Sequence, residues 1–141
     1  MPSAAGWSPL CTASSNCHLR CVELILKNHG RVDVLDHEGR SSLHLAAEAG
    51  SEEVCQALLE AKAFVNSKTK SGWTSLHFAA KNGHDGLVDY LIRKKAAEVD
   101  STTMKKQTPL HLAATNGQVK VLTYSQLHIE LDDFEDFVSG P

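Results

Sequence analysis

Long apolar runs are missing from this chain of 141 residues: no stretch of about 18 apolar positions occurs, so nothing in it reads as a membrane-spanning helix. A charge excess is also missing. The formal net charge of −3 provides no global field to attract nucleic acid or an anionic membrane. The opening residues, Met1-Pro2-Ser3-Ala4-Ala5-Gly6, have neither the basic n-region nor the apolar h-region of a secretory leader. Cysteine is sparse, at Cys11, Cys17, Cys21 and Cys55, and without a leader the four thiols are expected to be free in a reducing, cytoplasmic setting. No nucleophile elbow, phosphate-binding loop, HExxH or dinucleotide fingerprint appears, and no orienting acid or oxyanion site accompanies the recurring Ser/His pairs. The expectation is a non-enzyme without cofactor. What remains is ordinary: 42% apolar and 22% charged residues suit one soluble globular domain.

What the chain does have is a phrase that returns. Ser8-Pro9-Leu10 is followed by Ser41-Ser42-Leu43-His44-Leu45-Ala46-Ala47, then Thr74-Ser75-Leu76-His77-Phe78-Ala79-Ala80, then Thr108-Pro109-Leu110-His111-Leu112-Ala113-Ala114. The second residue of the phrase falls at 9, 42, 75 and 109, a period of 33, 33 and 34. A period of this length marks a stack of modules rather than one closed core. Within each module the signals are local. Thr74 suits a helix N-cap and Pro109 the first helical position. Leu76, Phe78, Ala79 and Ala80 fill a short first helix, and Asn82-Gly83 ends it, glycine taking the left-handed position. Leu87, Val88, Leu91 and Ile92 lie at helical spacing on a second helix, as do Val54, Cys55, Leu58 and Leu59 one period earlier. Gly39 and Gly72 mark turns at the tips of extended fingers.

This period and motif identify the chain as similar to the ankyrin-repeat family over roughly residues 7–124. The fold expected is all-α: an ankyrin-repeat solenoid of helix-turn-helix pairs with β-turn fingers, about three to four units. The divisions are a degenerate first unit at 7–38, units at 39–71 and 72–105, a truncated fourth at 106–124, and a divergent acidic tail at 125–141. In the first unit Cys17 stands where the later units carry the separating glycine, and Cys11 stands in the histidine slot. In the fourth, Ser125 and Gln126 replace Leu91 and Ile92. These weak ends predict a segment of a longer array, or a truncated product. Three further phrases, Asp36 to Ala47, Lys62 to Lys68 and Lys106 to Ala114, resemble the cytoplasmic ankyrin array of TRPN (NOMPC) mechanosensory channels. That resemblance implies a tether between a pore and the cytoskeleton, with the chain at the cytoplasmic face of the plasma membrane. The pore itself is absent. The competing readings are the ankyrin segment of a latrotoxin-like, membrane-acting toxin and a free soluble adaptor.

Two clusters invite a metal reading. His44, His77 and His111 lie one module apart, about 10 Å between neighbouring helices, too far to share one ion. Their expected task is to bond the adjacent hydroxyl and backbone. Cys11, Cys17, Cys21 and His18 lack the paired CxxC spacing of zinc sites. Cys21 aligns with Val54 and Leu87, so it is expected to be a small buried hydrophobe, and no metal is expected.

Function therefore points to binding of a protein partner on a concave face of fingertips and first helices, and the chain, if isolated, is expected to be a monomer. The candidate contacts are His37, Arg40 and Glu48 in the second unit, Lys70, Trp73, Lys81 and Asn82 in the third, and Gln107 and Asn116 in the fourth. Trp73 is singled out because it follows the turn and lies outside the apolar stripes, as binding anchors do. The acids Glu130, Asp132, Asp133, Glu135 and Asp136 are expected to form a solvated, disordered end; the competing reading is that they dock on the lysine-rich middle units, with Leu127, Ile129, Leu131, Phe134 and Phe137 as apolar anchors.

Overall fold

The computed structural model describes residues 7–122. Both readings of the acidic tail, solvated or docked, and the loss of pattern at Ser125 and Gln126, lie outside the described residues. Within them the chain forms eight helices in four pairs: α1 (Pro9–Ser15) with α2 (Leu19–Lys27), α3 (Ser42–Ala49) with α4 (Glu52–Glu60), α5 (Ser75–Lys81) with α6 (Asp85–Lys95), and α7 (Pro109–Thr115) with α8 (Val119–Leu122). The short first helices pack in one row, α1 on α3, α3 on α5 and α5 on α7. The second helices make a parallel row, α2 on α4, α4 on α6 and α6 on α8. No strand occurs among the described residues.

The repeated phrase builds the first row. Ser41, Thr74 and Thr108 cap their helices by accepting the backbone N–H of His44, His77 and His111. Each histidine returns the favour, its Nδ1 accepting the backbone N–H of the capping residue at 2.9, 3.0 and 3.1 Å. This is a capping box with imidazole where glutamate is usual. Because Nδ1 accepts, the proton resides on Nε2, which donates across to the loop that follows. His44 reaches the Ser67 carbonyl at 2.8 Å, and His77 reaches those of Ser101 and Gln107 at 3.0 and 3.1 Å. The histidines are struts between successive pairs. His111 keeps its bond to Thr108 but is exposed.

Behind the caps, Leu43, Leu76, Ala46, Ala47, Ala79, Ala80 and Ala113 are buried between the rows, together with Val54, Cys55, Leu58, Val88 and Leu91 of the second helices. Alanine on the facing surfaces lets adjacent short helices approach closely. No pair could bury such a stripe alone, so the core is continuous through the stack.

Cys21 departs from expectation. It is exposed, whereas Val54 and Leu87 in the same slot are buried. The slot faces the preceding second helix, and α2 has no described helix before it. Leu24, on the same side of α2, is 52% exposed for the same reason. The neighbouring Val22 faces forward onto the next pair and is fully buried.

The first-unit anomaly at Cys17 also has a physical account. Cys17 adopts φ 61°, the left-handed conformation that Gly83 and Gly117 adopt in the same slot. At Gly50 and Gly83 an added Cβ would strike His84 and Gln118, the residues one module ahead. Those side chains use the space. His84 Nε2 donates to the Glu48 carbonyl at 2.9 Å, and Gln118 Nε2 donates to that of Lys81 at 2.9 Å. Opposite Cys17 the corresponding residue is Ser51, a small side chain that caps α4 by accepting from the Val54 N–H. Cys17 therefore bears the backbone strain of its conformation without the collision.

Candidate functional site

The fingers are built by one polar side chain each. At Asp36, Oδ1 accepts the backbone N–H groups of Glu38 and Arg40, both at 2.9 Å. Thr69 Oγ1 does the same for Ser71 and Trp73, and Thr103 Oγ1 for Lys105 and Gln107. Each tip closes with a residue at positive φ: Gly39 (77°), Gly72 (82°) and Lys106 (67°). Adjacent fingers are then joined through their backbones. The Lys70 N–H donates to the Glu38 carbonyl at 3.0 Å, and the Met104 N–H donates to the Ser71 carbonyl at 2.9 Å. At Gly72 a Cβ would come within 2.9 Å of the Met104 nitrogen, so glycine is needed for the contact as well as for the turn.

Two notches open beside this joined edge. The first, of about 300 Å³, is lined by His37, Glu38, Arg40, Thr69, Lys70, Ser71, Trp73, Phe78 and Lys81. The second, of about 310 Å³, is lined by Lys70, Ser71, Trp73, Thr103, Met104, Lys105 and Gln107. They share Lys70, Ser71 and Trp73, so Trp73 forms the ridge between them. Its ring is half-buried rather than fully exposed, and it lies 4.9 Å from the Phe78 ring and 6.0 Å from that of His77. The Lys81 ammonium stands 5.4 Å from its centroid, within cation–π range.

Of the nine sequence-predicted contacts, His37, Arg40, Lys70, Trp73 and Lys81 come together in the first notch, and Gln107 joins Lys70 and Trp73 in the second. Several of them also serve the scaffold. The Arg40 guanidinium bonds Asp36 at 2.9 Å and sits 5.8 Å from the Trp7 ring centroid, while Trp7 Nε1 donates to the same carboxylate. Burial pushes the Asp36 carboxyl up. The N–H groups of Arg40 and Glu38, with the side chains of Arg40 and Trp7, outweigh it and hold the group below its ordinary value. Asn82 Nδ2 donates to the Glu48 carbonyl at 3.1 Å, which ties two units together. Asn116 lies away from both notches, its amide donating to Leu112.

Phe78, which the sequence placed in the short first helix without a binding role, is half-buried and lines the first notch. Slot alignment gave no such signal, because Leu45 and Leu112 occupy the same slot and are buried; the larger ring extends to meet Trp73.

Chemistry elsewhere is muted. Burial, with smaller contributions from Cys17 and Glu52, pushes the Cys55 thiol up to about 12, which makes it inert at neutral pH. No group of three His, Cys, Asp or Glu able to hold a metal occurs among the described residues. None of the described helices is long and apolar enough to cross a membrane.

Comparison with known proteins fits this architecture. The family profile described as "Ankyrin repeats (3 copies)" matches residues 2–69 and 61–132. The nuclear factor NF-kappa-B p105 subunit of Mus musculus is 35% identical over 120 residues, 82% of this chain and 12% of that protein. Alpha-latrotoxin-Lg1a of Latrodectus geometricus is 33% identical over 97 residues, 67% of this chain and 7% of the toxin. The human transient receptor potential cation channel subfamily A member 1 is 30% identical over 119 residues, 81% of this chain and 10% of the channel. The chain thus spans about a tenth of the length of these relatives. With the recurring Ser/Thr-x-x-His caps, the paired helices and the joined fingers, the chain belongs to the ankyrin-repeat family.

Proposed function

We propose that this chain is a non-catalytic protein-interaction scaffold of four units, divided at 7–38, 39–71, 72–105 and 106–124. It binds a protein partner along the face formed by its fingers and short helices. The observation that carries this reading is the Trp73 ridge between two notches, a rigid aromatic flanked by polar and cationic groups. Such an anchor suits a binding hot spot, because little conformational entropy is lost when it engages.

The test is the affinity of a captured partner for Trp73→Ala. A hot spot loses about 2 kcal/mol or more of binding, roughly thirtyfold in affinity, while the melting temperature shifts by only a few degrees. Binding unchanged by Trp73→Ala but lost on Tyr90→Ala, on the outer second-helix face, would overturn the reading.

Placement in a TRPN-type cytoplasmic tether is the narrower proposal. It is supported by the three quoted phrases and by the likeness to the human transient receptor potential channel of subfamily A. The similarity to the latrotoxin favours a toxin segment instead, and the p105 likeness favours a soluble regulator. Sequencing the full transcript separates them: a downstream six-span pore supports the tether, and an upstream secretion signal supports the toxin.

A further inference from the structure

The charges around the two notches are arranged with a direction. At the second-unit end, Asp36 and Glu38 share one guanidinium, Arg40 Nε lying 2.9 Å from the first and 3.7 Å from the second. That end carries one negative charge in excess. From Lys70 onward the sign reverses. Lys70, Lys81, Lys105 and Lys106 have no carboxylate within 4.0 Å among the described residues, and Lys81 is held over the Trp73 ring instead. Two apolar surfaces interrupt the cations, Trp73 on Phe78 and the Met104 side chain, which is 73% exposed.

We propose that the partner is an extended acidic peptide segment that crosses both notches. One carboxylate sits between Lys70 and Lys81, an apolar side chain lies against Trp73, and a second carboxylate meets Lys105 and Lys106. Lys70 and Lys105 stand one residue out of register on adjacent fingers, which repeat about every 10 Å, the spacing of packed helices. A chain extended in the polyproline-II form rises about 3.1 Å per residue and returns to the same face every third residue, so the two acids fall at positions i and i+3. The excess negative charge at Glu38 sets the polarity: the segment is acidic toward the fourth unit and neutral or basic toward the second. The fingers' own N–H groups are already bonded at Lys70 and Met104, so selectivity comes from side chains rather than from strand addition.

This assignment rests on the reading of the notches as the docking face, and the experiment separates the two claims. A phage-displayed random dodecapeptide library is panned on the full chain, and the enriched peptides are titrated against variants by calorimetry. Variants are first checked for unchanged melting. The expected result is enrichment of peptides with acids three apart flanking an apolar residue. Their affinity falls at least tenfold with Lys70→Glu or Lys105→Glu, and falls with rising salt. Lys94→Glu, on the outer helices, leaves it unchanged. Enriched peptides that are neutral or basic, yet lose affinity with Trp73→Ala, would overturn the acidic assignment and leave the docking face standing. Peptides indifferent to Trp73→Ala, Lys70→Glu and Lys105→Glu, or no enrichment at all, would remove both. A single-stranded oligonucleotide that binds more tightly than the peptides and depends on Lys70 would also overturn the proposal.

Discussion

His77 combines three tasks in one imidazole: it closes a helix cap, braces the next finger and fills space beside Trp73. The cap needs the neutral ring, because a protonated Nδ1 would point a hydrogen at the Thr74 N–H, whereas the Nε2 bonds to the finger survive protonation. Burial first, with a smaller contribution from Lys68, depresses the His77 pKa from 6.5 to about 4, against the raising effect of the carbonyls of Gln107 and Ser101. His44 is lowered in the same direction, chiefly by burial. The sign of the pH effect follows. Above about 6.5 the folded and unfolded chains are both neutral at these sites, and stability is at its full value. As pH falls from 6.5 toward 4 the unfolded chain takes up protons that the folded chain refuses, so stability declines across that window. Urea midpoints measured at pH 7.5, 5.5 and 4.5 should fall in that order. An unchanged midpoint would contradict the neutral-strut assignment. Cys17 offers a test in the other direction. Its left-handed backbone costs about 1–2 kcal/mol that glycine would avoid, so Cys17→Gly should raise the melting temperature, less whatever entropy the freer unfolded chain gains.

At the scale of the element, the helices divide into capped short ones and apolar long ones. Thr74→Ala removes an N-cap oxygen from α5 and should cost about 0.5–2 kcal/mol in denaturant unfolding. Leu58→Ala and Leu91→Ala each open a cavity in a fully buried stripe and should cost about 2–5 kcal/mol. A neutral result at both leucines would contradict the pairing of α4 with α6. These elements were legible because their information is local: a hydroxyl three residues before a histidine, leucines at helical spacing, glycine at a helix end. Other features were hidden for a definite reason. Glu48 and Asn82 read as surface contacts, but the Glu48 backbone carbonyl accepts the Asn82 and His84 side chains, and a carbonyl has no letter in the sequence. The finger-building role of Asp36, Thr69 and Thr103 was not read from the sequence, because it rests on the pair of backbone N–H groups that each side chain accepts. Slot alignment assigned Cys21 to the core because it reports which way a side chain faces, and burial needs a neighbour on that side.

For the whole molecule, stability is shared between neighbours, so the same slot has different worth along the stack. Val54→Ser should cost about 2 kcal/mol or more, whereas Cys21→Ser, one module earlier, should fall within about 0.5 kcal/mol of the parent. Equal losses at the two positions would argue against nearest-neighbour stacking. The backbone bonds between fingers carry the same logic to the surface. Lys70 and Met104 extend their side chains into solvent, yet their N–H groups are bonded to Glu38 and Ser71. In heavy water, then, these two amides should keep their protons long after those of Lys68 and Thr102, exposed and with no N–H partner among the described residues, have been replaced by deuterium, and they would lose that protection only when neighbouring modules part.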